Sequence, residues 1–251
     1  MDRMIFTAMS GAQQSLERQA ITSNNLANVS TSGFRGQLQA MRAVPVRGAG
    51  ELPTRVAVMA TTPGSDFSTG PVNATGRDLD VALVGGAWLA VQDQQGGEAY
   101  TRRGDLQVNG EGVITSGGRP VIGEDGPIVV PLGSQLTIGT DGTISAIGAG
   151  DKPDTLVEIG RLKLVTPQQN SLQRGDDGLF RSLAANGAAA PLAADDEARL
   201  QTGALEGSNV SAVESMVDMI AGARLYEMQM KVIQSSDDNA RQADRLLSLQ
   251  S

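Results

Sequence analysis

The sequence predicts an α+β protein in which long helices at the two ends of the chain pack as an assembly core and flank a central, hairpin-rich all-β domain. Helical spacing of apolar residues is confined to the two ends, whereas all ten prolines and most of the 31 glycines lie between them. The middle alternates short apolar runs with turn dipeptides. We therefore divide the chain into an N-terminal helix and turn (1–35), an extended connector (36–75), a β domain (76–202) and a long C-terminal helix (203–251).

The first helix is predicted over residues 2–28, where apolar and small side chains recur at alternating intervals of four and three. Polar residues interrupt this stripe, so the isolated helix should be marginal and should depend on partners for its stability. The larger apolar members of the stripe, which we expect at assembly contacts, are Ile5, Met9, Leu16 and Leu26.

The middle of the chain reads as extended structure. Residues 36–75 lack helical periodicity and are expected to form a connector with a strand or two. Short strands are then predicted from Leu79–Val84 to Leu162–Val165, separated by Gly-Gly, Asn-Gly and Asp-Gly pairs that favour tight hairpin turns. Aromatic residues make up only 3% of the chain, so the core of this domain should consist largely of Val, Leu and Ile.

The second helix is predicted to begin at Ser211, whose hydroxyl can accept a hydrogen bond from the Glu214 amide in a capping box. It continues almost to the end of the chain and would be roughly 58 Å long, too long to be buried on one small domain. A second apolar stripe (Leu225, Met228, Val232) lies beside the main one, which suits a helix surrounded by neighbours. The heptad stripe that we expect at assembly contacts comprises Met219, Ala223, Tyr226, Met230, Ile233 and Leu247.

The same heptad register carries carboxylates near the end of the helix. Asp237 and Asp244 occupy core positions, where a dry helix interface would make a carboxylate costly. We therefore expect the buried register to rotate, so that these residues and Asp238 meet water in the lumen of a tubular assembly or an arginine, such as Arg241 or Arg245, of a neighbouring subunit.

Composition excludes several classes of function. The chain has no cysteine and no histidine, so thiol nucleophiles, disulfides, Cys/His zinc sites and imidazole acid–base pairs are ruled out. A formal net charge of −8 argues against nucleic-acid binding, and no apolar run is long enough for insertion into a membrane. Phosphate-binding loops and nucleophile elbows are also missing from the sequence. We expect no enzyme activity, no catalytic residues, no cofactor and no metal.

One acidic pair could in principle serve as an acid and a base or bind a cation. Asp78 and Asp80 flank Leu79 at the start of the first predicted strand of the β domain. Alternation along a strand places both carboxylates on one side and Leu79 and Val81 on the other. We interpret the pair as part of a solvated strand face.

Two motifs resemble those of the bacterial flagellar axial proteins, the family of rod and hook subunits. The N-terminal motif begins at the end of the first predicted helix, and its residues are Asn24, Asn25, Leu26, Ala27, Asn28, Gly33, Phe34 and Arg35. The C-terminal motif precedes the second helix, and its residues are Gly207, Ser208, Asn209 and Val210. Segments 77–83 and 100–106 are also similar to the family, so the resemblance extends over nearly the whole chain.

The resemblance implies a structural subunit of the flagellar basal-body rod, a hollow shaft that spans the periplasm and transmits torque. It implies polymerisation through the terminal helices with copies of itself and with other rod subunits, proximal and distal, after passage through the flagellar export apparatus. Segments 42–46, 174–178 and 227–231 favour a proximal-rod subunit. Two alternatives stay open: a distal-rod subunit, and a monomeric periplasmic β domain that binds a glycan or a small ligand.

Overall fold

The structure, a computed structural model, describes residues 2–45, 56–148, 156–168, 171–182 and 190–248. The chain divides into two units by its internal contacts. The helical unit contains Met1–Val29, Gly36–Asp66 and Val210–Ser251, and the β unit contains Ser30–Arg35 and Phe67–Asn209. Terminal helices and a β-rich middle are both present, so the predicted α+β class is confirmed.

The helical unit contains a helix pair and a hairpin. Its elements are α1 (Asp2–Ala27), β1 (Gln37–Pro45), β2 (Val56–Ser65) and α2 (Ala212–Ser248). The two helices pack against each other, and α1 also contacts both strands. Arg18 lies beside Asp218 and Gly11 beside Gln229, so residue numbers rise along one helix as they fall along the other. The helices are therefore antiparallel.

Small side chains occupy the buried positions of the two helices. Those buried on α1 are Ala8, Ala12, Ser15 and Thr22, and those on α2 are Ser215, Gly222 and Ser236. A Cβ at Gly11 would lie 3.0 Å from the end of the Gln229 side chain. The Gln229 side chain therefore packs directly over Gly11, at a position where α1 has no side chain of its own.

The predicted start of the second helix is confirmed. α2 begins at Ala212, and the amide of Glu214 donates to the hydroxyl of Ser211 over 3.3 Å. This bond satisfies one of the amides that the first turn of a helix leaves without a helical partner.

The buried positions of α2 lie one residue before those of the predicted stripe and keep its heptad spacing, since Ser215, Gly222 and Ser236 are seven and fourteen residues apart. The described residues therefore show no rotation of the register, and whether Asp237 meets a lumen or a neighbouring subunit stays a prediction. Ser236 is buried, whereas its neighbour Asp237 is exposed. The carboxylate of Asp237 lies 2.7 Å from the guanidinium of Arg241, one turn further along the same helix. The side chain of Asp244 lies outside the described residues.

The β unit is built from short antiparallel strands. They are β3 (Val72–Ala74), β4 (Val81–Leu83), β5 (Trp88–Gln92), β6 (Glu98–Thr101), β7 (Leu106–Val108), β8 (Ile114–Ser116), β9 (Arg119–Pro120), β10 (Ile122–Gly123), β11 (Gly126–Pro127), β12 (Gln135–Ile138), β13 (Thr143–Ile147), β14 (Val157–Arg161), β15 (Leu164–Val165), β16 (Leu172–Arg174), β17 (Phe180–Ser182), β18 (Leu200–Thr202) and β19 (Ala204–Glu206). Three sheets among the described residues have the orders β15-β5-β6-β17-β16, β7-β8-β9 and β12-β13-β14. The remaining strands of this unit pair as β10–β11, β18–β4 and β19–β3.

Aliphatic side chains fill the main core of the β unit, as expected. Leu89, Leu106, Ile114 and Ile144 are completely buried within it. A smaller cluster beside it is aromatic and includes Trp88, Tyr100 and Phe180. The rings of Trp88 and Phe180 lie 4.7 Å apart between centroids at a tilt of 58°.

The boundaries of the β unit differ from those predicted for the β domain. The strand or two expected in the connector are β1 and β2, which form a long antiparallel hairpin in the helical unit. Residues 67–75 and 203–209, expected as connector and helix lead-in, lie in the β unit instead. They do so because β3 pairs with β19, while β4 pairs with β18.

The interpretation of the acidic pair is wrong for one of its members. Asp78 is exposed, but Asp80 is buried, and its carboxylate lies 3.3 Å from the guanidinium of Arg77. The backbone of Asp80 forms an isolated bridge to Asp105. Strand alternation fails here because β4 begins only at Val81, so Asp78 lies in a turn.

These boundaries predict which fragment folds. Residues 30–209 should unfold in a single cooperative thermal transition, whereas residues 71–202 should not. The shorter fragment lacks β19 and Glu206, the buried ion-pair partner of Arg102, and an unpaired buried charge costs about 3–5 kcal/mol. Thermal melting followed by the fluorescence of Trp88 would compare the two. A cooperative transition in the shorter fragment would contradict this division.

Candidate assembly site

The asparagines of the N-terminal motif end α1 and attach the hairpin to it. Asn28 donates its side-chain amide to the carbonyl of Asn24 over 2.9 Å, which satisfies a carbonyl in the last helical turn. Asn25 donates to the carbonyl of Gln37 over 2.9 Å and accepts from the amide of Gln37 over 2.8 Å. The Asn25 side chain thus forms with the backbone of Gln37 a pair of hydrogen bonds of the kind that a neighbouring strand forms. Ala27 is exposed.

The next part of the motif lies in the β unit, where the backbone of Arg102 passes close by. Gly33 has a φ of +66°, and a Cβ at this position would be 2.3 Å from the carbonyl of Arg102. Only glycine fits such a position without strain. The amide of Gly33 donates to the carbonyl of Glu206 over 2.8 Å. Phe34 is buried with its ring centroid 4.6 Å from the guanidinium of Arg174, a cation–π contact.

Arg35 completes the motif and belongs to a buried charge cluster, which we call the Glu206 triad (Arg35, Arg102 and Glu206). Nη2 of Arg35 lies 2.6 Å from Oε1 of Glu206, and Nε of Arg102 lies 2.7 Å from Oε2. None of the three side chains is more than 2% exposed. The amide of Gly70 also donates to Oε1 over 2.9 Å. The carboxylate therefore has three donors, two of which are charged.

Backbone carbonyls fix the second arginine of the triad. Arg102 donates to the carbonyls of Leu83, Gly85 and Ala87 over 2.7–2.8 Å. Burial lowers the pKa of Arg102, and the charge of Glu206 opposes that shift. With two guanidinium groups and one carboxylate, the triad has a formal excess of one positive charge. Removal of the carboxylate would leave two buried guanidinium groups without a negatively charged partner, which is strongly destabilising.

The C-terminal motif surrounds the same cluster. Gly207 donates its amide to the carbonyl of the residue that precedes β3, over 2.8 Å. Asn209 donates its backbone amide to the carbonyl of Phe34 over 3.3 Å. Ser208 is buried in the β unit. Val210 is the first residue of the last chain segment of the helical unit, Val210–Ser251. Parts of both sequence motifs, which are far apart along the chain, thus meet at the Glu206 triad.

The two motifs can be recognised in the sequence, but the interactions that join them cannot. The resemblance at 100–106 included Arg102, and that at 174–178 included Arg174, without assigning either a partner. Arg102 and Glu206 are 104 positions apart, and no local pattern connects residues at that separation. The one local feature of Arg102 is that it directly follows strand β6.

The predicted assembly residues fall into three groups. Those that are half-buried in the helical unit are Ile5, Leu26, Met219, Ala223, Tyr226, Met230 and Ile233. Two others, Met9 and Leu16, are about half exposed, because the buried positions of α1 lie beside the predicted stripe. The side chain of Leu247 lies outside the described residues. Whether these residues contact other subunits stays a prediction.

Large apolar side chains lie on the outer surface of α2. Their exposed fractions range from 37% to 74%. Successive residues of a helix are rotated by about 100°, which divides these side chains into two stripes. The first outer stripe comprises Val213, Met216, Val217 and Ile220. It lies on the side of the helix opposite its buried positions. The second outer stripe, about a quarter of a turn away, comprises Leu225, Met228 and Val232. On α1, Phe6 is similarly exposed.

The described part of the chain offers little for other chemistry. No helix in it is long and apolar enough to cross a membrane. Nor do the described residues contain a group of three or more acidic, histidine or cysteine side chains placed to hold a metal ion. The motif residues themselves bond to backbone and to each other, which is a structural arrangement.

We predict that Glu206→Ala strongly destabilises the β unit of the full chain, because it leaves two buried arginines without a carboxylate. The free energy of unfolding should fall by about 3–5 kcal/mol. Urea denaturation followed by the fluorescence of Trp88, the only tryptophan, would measure it. Glu111→Ala, in the exposed turn between β7 and β8, is the matched control and should change stability by less than about 0.5 kcal/mol. Equal effects of the two changes would refute a structural role for the triad.

Family models of the flagellar rod and hook match three segments of the chain. Residues 5–35 match the flagella basal body rod protein model. Residues 82–146 match the flagellar hook protein FlgE/F/G D1 domain, and residues 201–246 match the C-terminal model of the flagellar basal body rod FlgEFG proteins. The first segment ends at Arg35, and the last includes Glu206, so each contributes one member of the triad.

Whole-chain comparison separates the rod paralogues. The flagellar basal-body rod protein FlgF of Salmonella typhimurium is 55% identical over 99% of this chain and 100% of its own length. FlgF of Escherichia coli has the same identity and coverage. The rod protein FlgG of Buchnera aphidicola subsp. Acyrthosiphon pisum is 32% identical over 90% of this chain and 92% of its own length. The chain belongs to the FlgF family of flagellar basal-body rod proteins.

Proposed function

We propose that this rod protein polymerises through the outer surfaces of its two terminal helices, while the Glu206 triad fixes the adjoining chain segments within the β unit. The chain is a structural subunit of the flagellar basal-body rod and is located there. One observation carries the proposal: small residues occupy the fully buried helix positions, and seven large apolar residues of α2 are 37–74% exposed. Contiguous exposed apolar surface marks interaction sites on soluble proteins.

The two outer stripes of α2 point in different directions and so suit two different neighbours. Identical subunits joined by heterologous contacts form an open helical filament unless the rotation between them closes a ring. Full burial of each large aliphatic side chain is worth about 1.5–3 kcal/mol. Several such residues per subunit can offset the entropy lost on association. A hollow, torque-transmitting shaft that spans the periplasm is the assembly that we infer.

Its partners are other rod components, as membership of the family supports. We infer further that the chain reaches the rod unfolded, through the flagellar export apparatus. Arg35 and Glu206 are 171 positions apart, so the β unit cannot close until nearly the whole chain is available. A chain that closes late is suited to passage in unfolded form.

The two alternatives receive less support. A monomeric glycan-binding domain would leave both outer stripes of α2 in water, which is unfavourable for a soluble monomer. A different rod paralogue is less consistent with the identities, which are 55% to FlgF and 32% to FlgG.

We predict that Ile220→Asp blocks incorporation into the rod without unfolding the free chain. Ile220 is more than half exposed, so the stability of the free chain should change by less than about 0.5 kcal/mol. At a subunit contact, the added carboxylate would be buried without a partner, which is strongly unfavourable. Immunodetection of the protein in isolated basal bodies, together with thermal melting of the purified variant, would measure both effects.

The matched control is Gln234→Asp, which adds the same carboxylate at an exposed, polar position of the same helix. It should be incorporated normally and support motility. Normal incorporation of the Ile220→Asp protein would remove the first outer stripe from the subunit contacts.

A further inference from the structure

A groove with a volume of about 460 Å³ lies in the β unit between the β10–β11 hairpin and strand β14. β14 is an outer strand of its sheet, with β13 on its inner side. The hairpin covers its other side only at one end, where the amide of Glu124 donates to the carbonyl of Arg161 over 3.2 Å. Further along β14, Glu158, Ile159 and Gly160 line the groove. The groove therefore lies along a strand edge.

The groove is strongly acidic. The carboxylates in its lining are those of Glu124, Asp125, Asp141 and Glu158. Among the described lining residues, Arg161 is the single cation: its Nη1 lies 3.0 Å from the carboxylate of Asp196 and 3.5 Å from that of Glu124, and Nε donates to the carbonyl of Asp141. Hydrogen bonds from Thr143 lower the pKa of Asp141, so that carboxylate stays charged at neutral pH. One cation, shared with Asp196 outside the groove, faces four lining carboxylates, so the groove keeps an excess of negative charge, mainly at Asp125 and Glu158.

Apolar side chains accompany the carboxylates. Val129 lines the groove and is 57% exposed, and Val157, at the start of β14, is 62% exposed. β-branched residues favour pairing with another strand when they lie beside a strand edge with which no strand among the described residues pairs. A strand edge suits an extended partner, the carboxylates suit basic side chains, and the exposed valines suit apolar side chains. We therefore expect a partner in which basic and apolar side chains alternate.

We propose that this groove binds an extended cationic segment of a neighbouring rod protein, which adds as a strand to the outer edge of β14. Main-chain hydrogen bonds along the edge would supply affinity in this mode of recognition, and side chains at alternate positions would supply specificity. Lysine or arginine side chains of the partner meet Glu124, Asp125 and Glu158, while its apolar side chains rest on Val129 and Val157. This contact is independent of the helices and would stand if helix-mediated assembly were disproved.

The test uses the purified full chain and a fluorescently labelled synthetic peptide in which lysine alternates with valine. Fluorescence anisotropy should show saturable binding that weakens as salt is added. Glu158→Lys should weaken it by at least about tenfold, because like charges placed together at an interface are costly. Glu111→Lys makes the same charge reversal on the β unit outside the groove and should change the affinity less than about twofold. Equal weakening by the two variants, or no binding to the unaltered chain, would overturn the proposal.

A second peptide tests strand addition separately from charge. It has the same sequence but carries N-methyl groups on alternate amides, on the edge that would face β14, so it keeps every lysine while losing those donors. It should bind at least about tenfold more weakly, since each lost charge-neutral hydrogen bond is worth about 0.5–1.5 kcal/mol. Hydrogen exchange of residues 157–160 should slow with the first peptide only. Equal affinity of the two peptides would show that charge alone holds them and would refute strand addition.

Discussion

The carboxylate of Glu206, buried between two arginines, is the interaction on which the rest of the structure depends. It joins the segment after α1 to the segment before α2 within one unit, and it lies where β19 ends. Gly33 is restricted to glycine because the Arg102 backbone approaches it there. Buried ion pairs often add little net stability compared with apolar replacements, but a cluster missing one partner is costly. We interpret the triad as a device that selects one arrangement of the chain rather than as a large source of stability.

The helices follow a different principle from that of a self-contained domain. A globular monomer normally turns its large apolar residues inward. Here alanine, serine, threonine and glycine occupy the fully buried helix positions, some large apolar residues are half-buried, and others, such as Val217 and Ile220, are more than half exposed. The small residues line the contact between the antiparallel helices, and the exposed large side chains are the ones for which we propose contacts with neighbouring subunits. In that proposal, the stability of the helical unit and the capacity to assemble depend on different faces of the same helices.

The sequence was sufficient to predict the extent of both helices and the cap at Ser211, because these depend on local spacing and on hydrogen bonds between residues close in sequence. It did not separate intramolecular from intersubunit faces: Met9 and Leu16 fit the heptad spacing, yet Ala8 and Ser15 are the buried residues. Hydrophobic periodicity identifies an apolar stripe but not its partner. The pairing of β18 and β19 with distant strands, and of Arg102 with Glu206, depends on contacts across the chain that no local pattern encodes.

A cryo-EM map of the rod in isolated basal bodies, at a resolution that shows side chains, tests the central claim most directly. If the helices are the assembly surface, Val217 and Ile220 of each copy will be enclosed by one neighbouring subunit and Met228 by another. The account is contradicted if these side chains face solvent while the β units alone make the contacts between subunits.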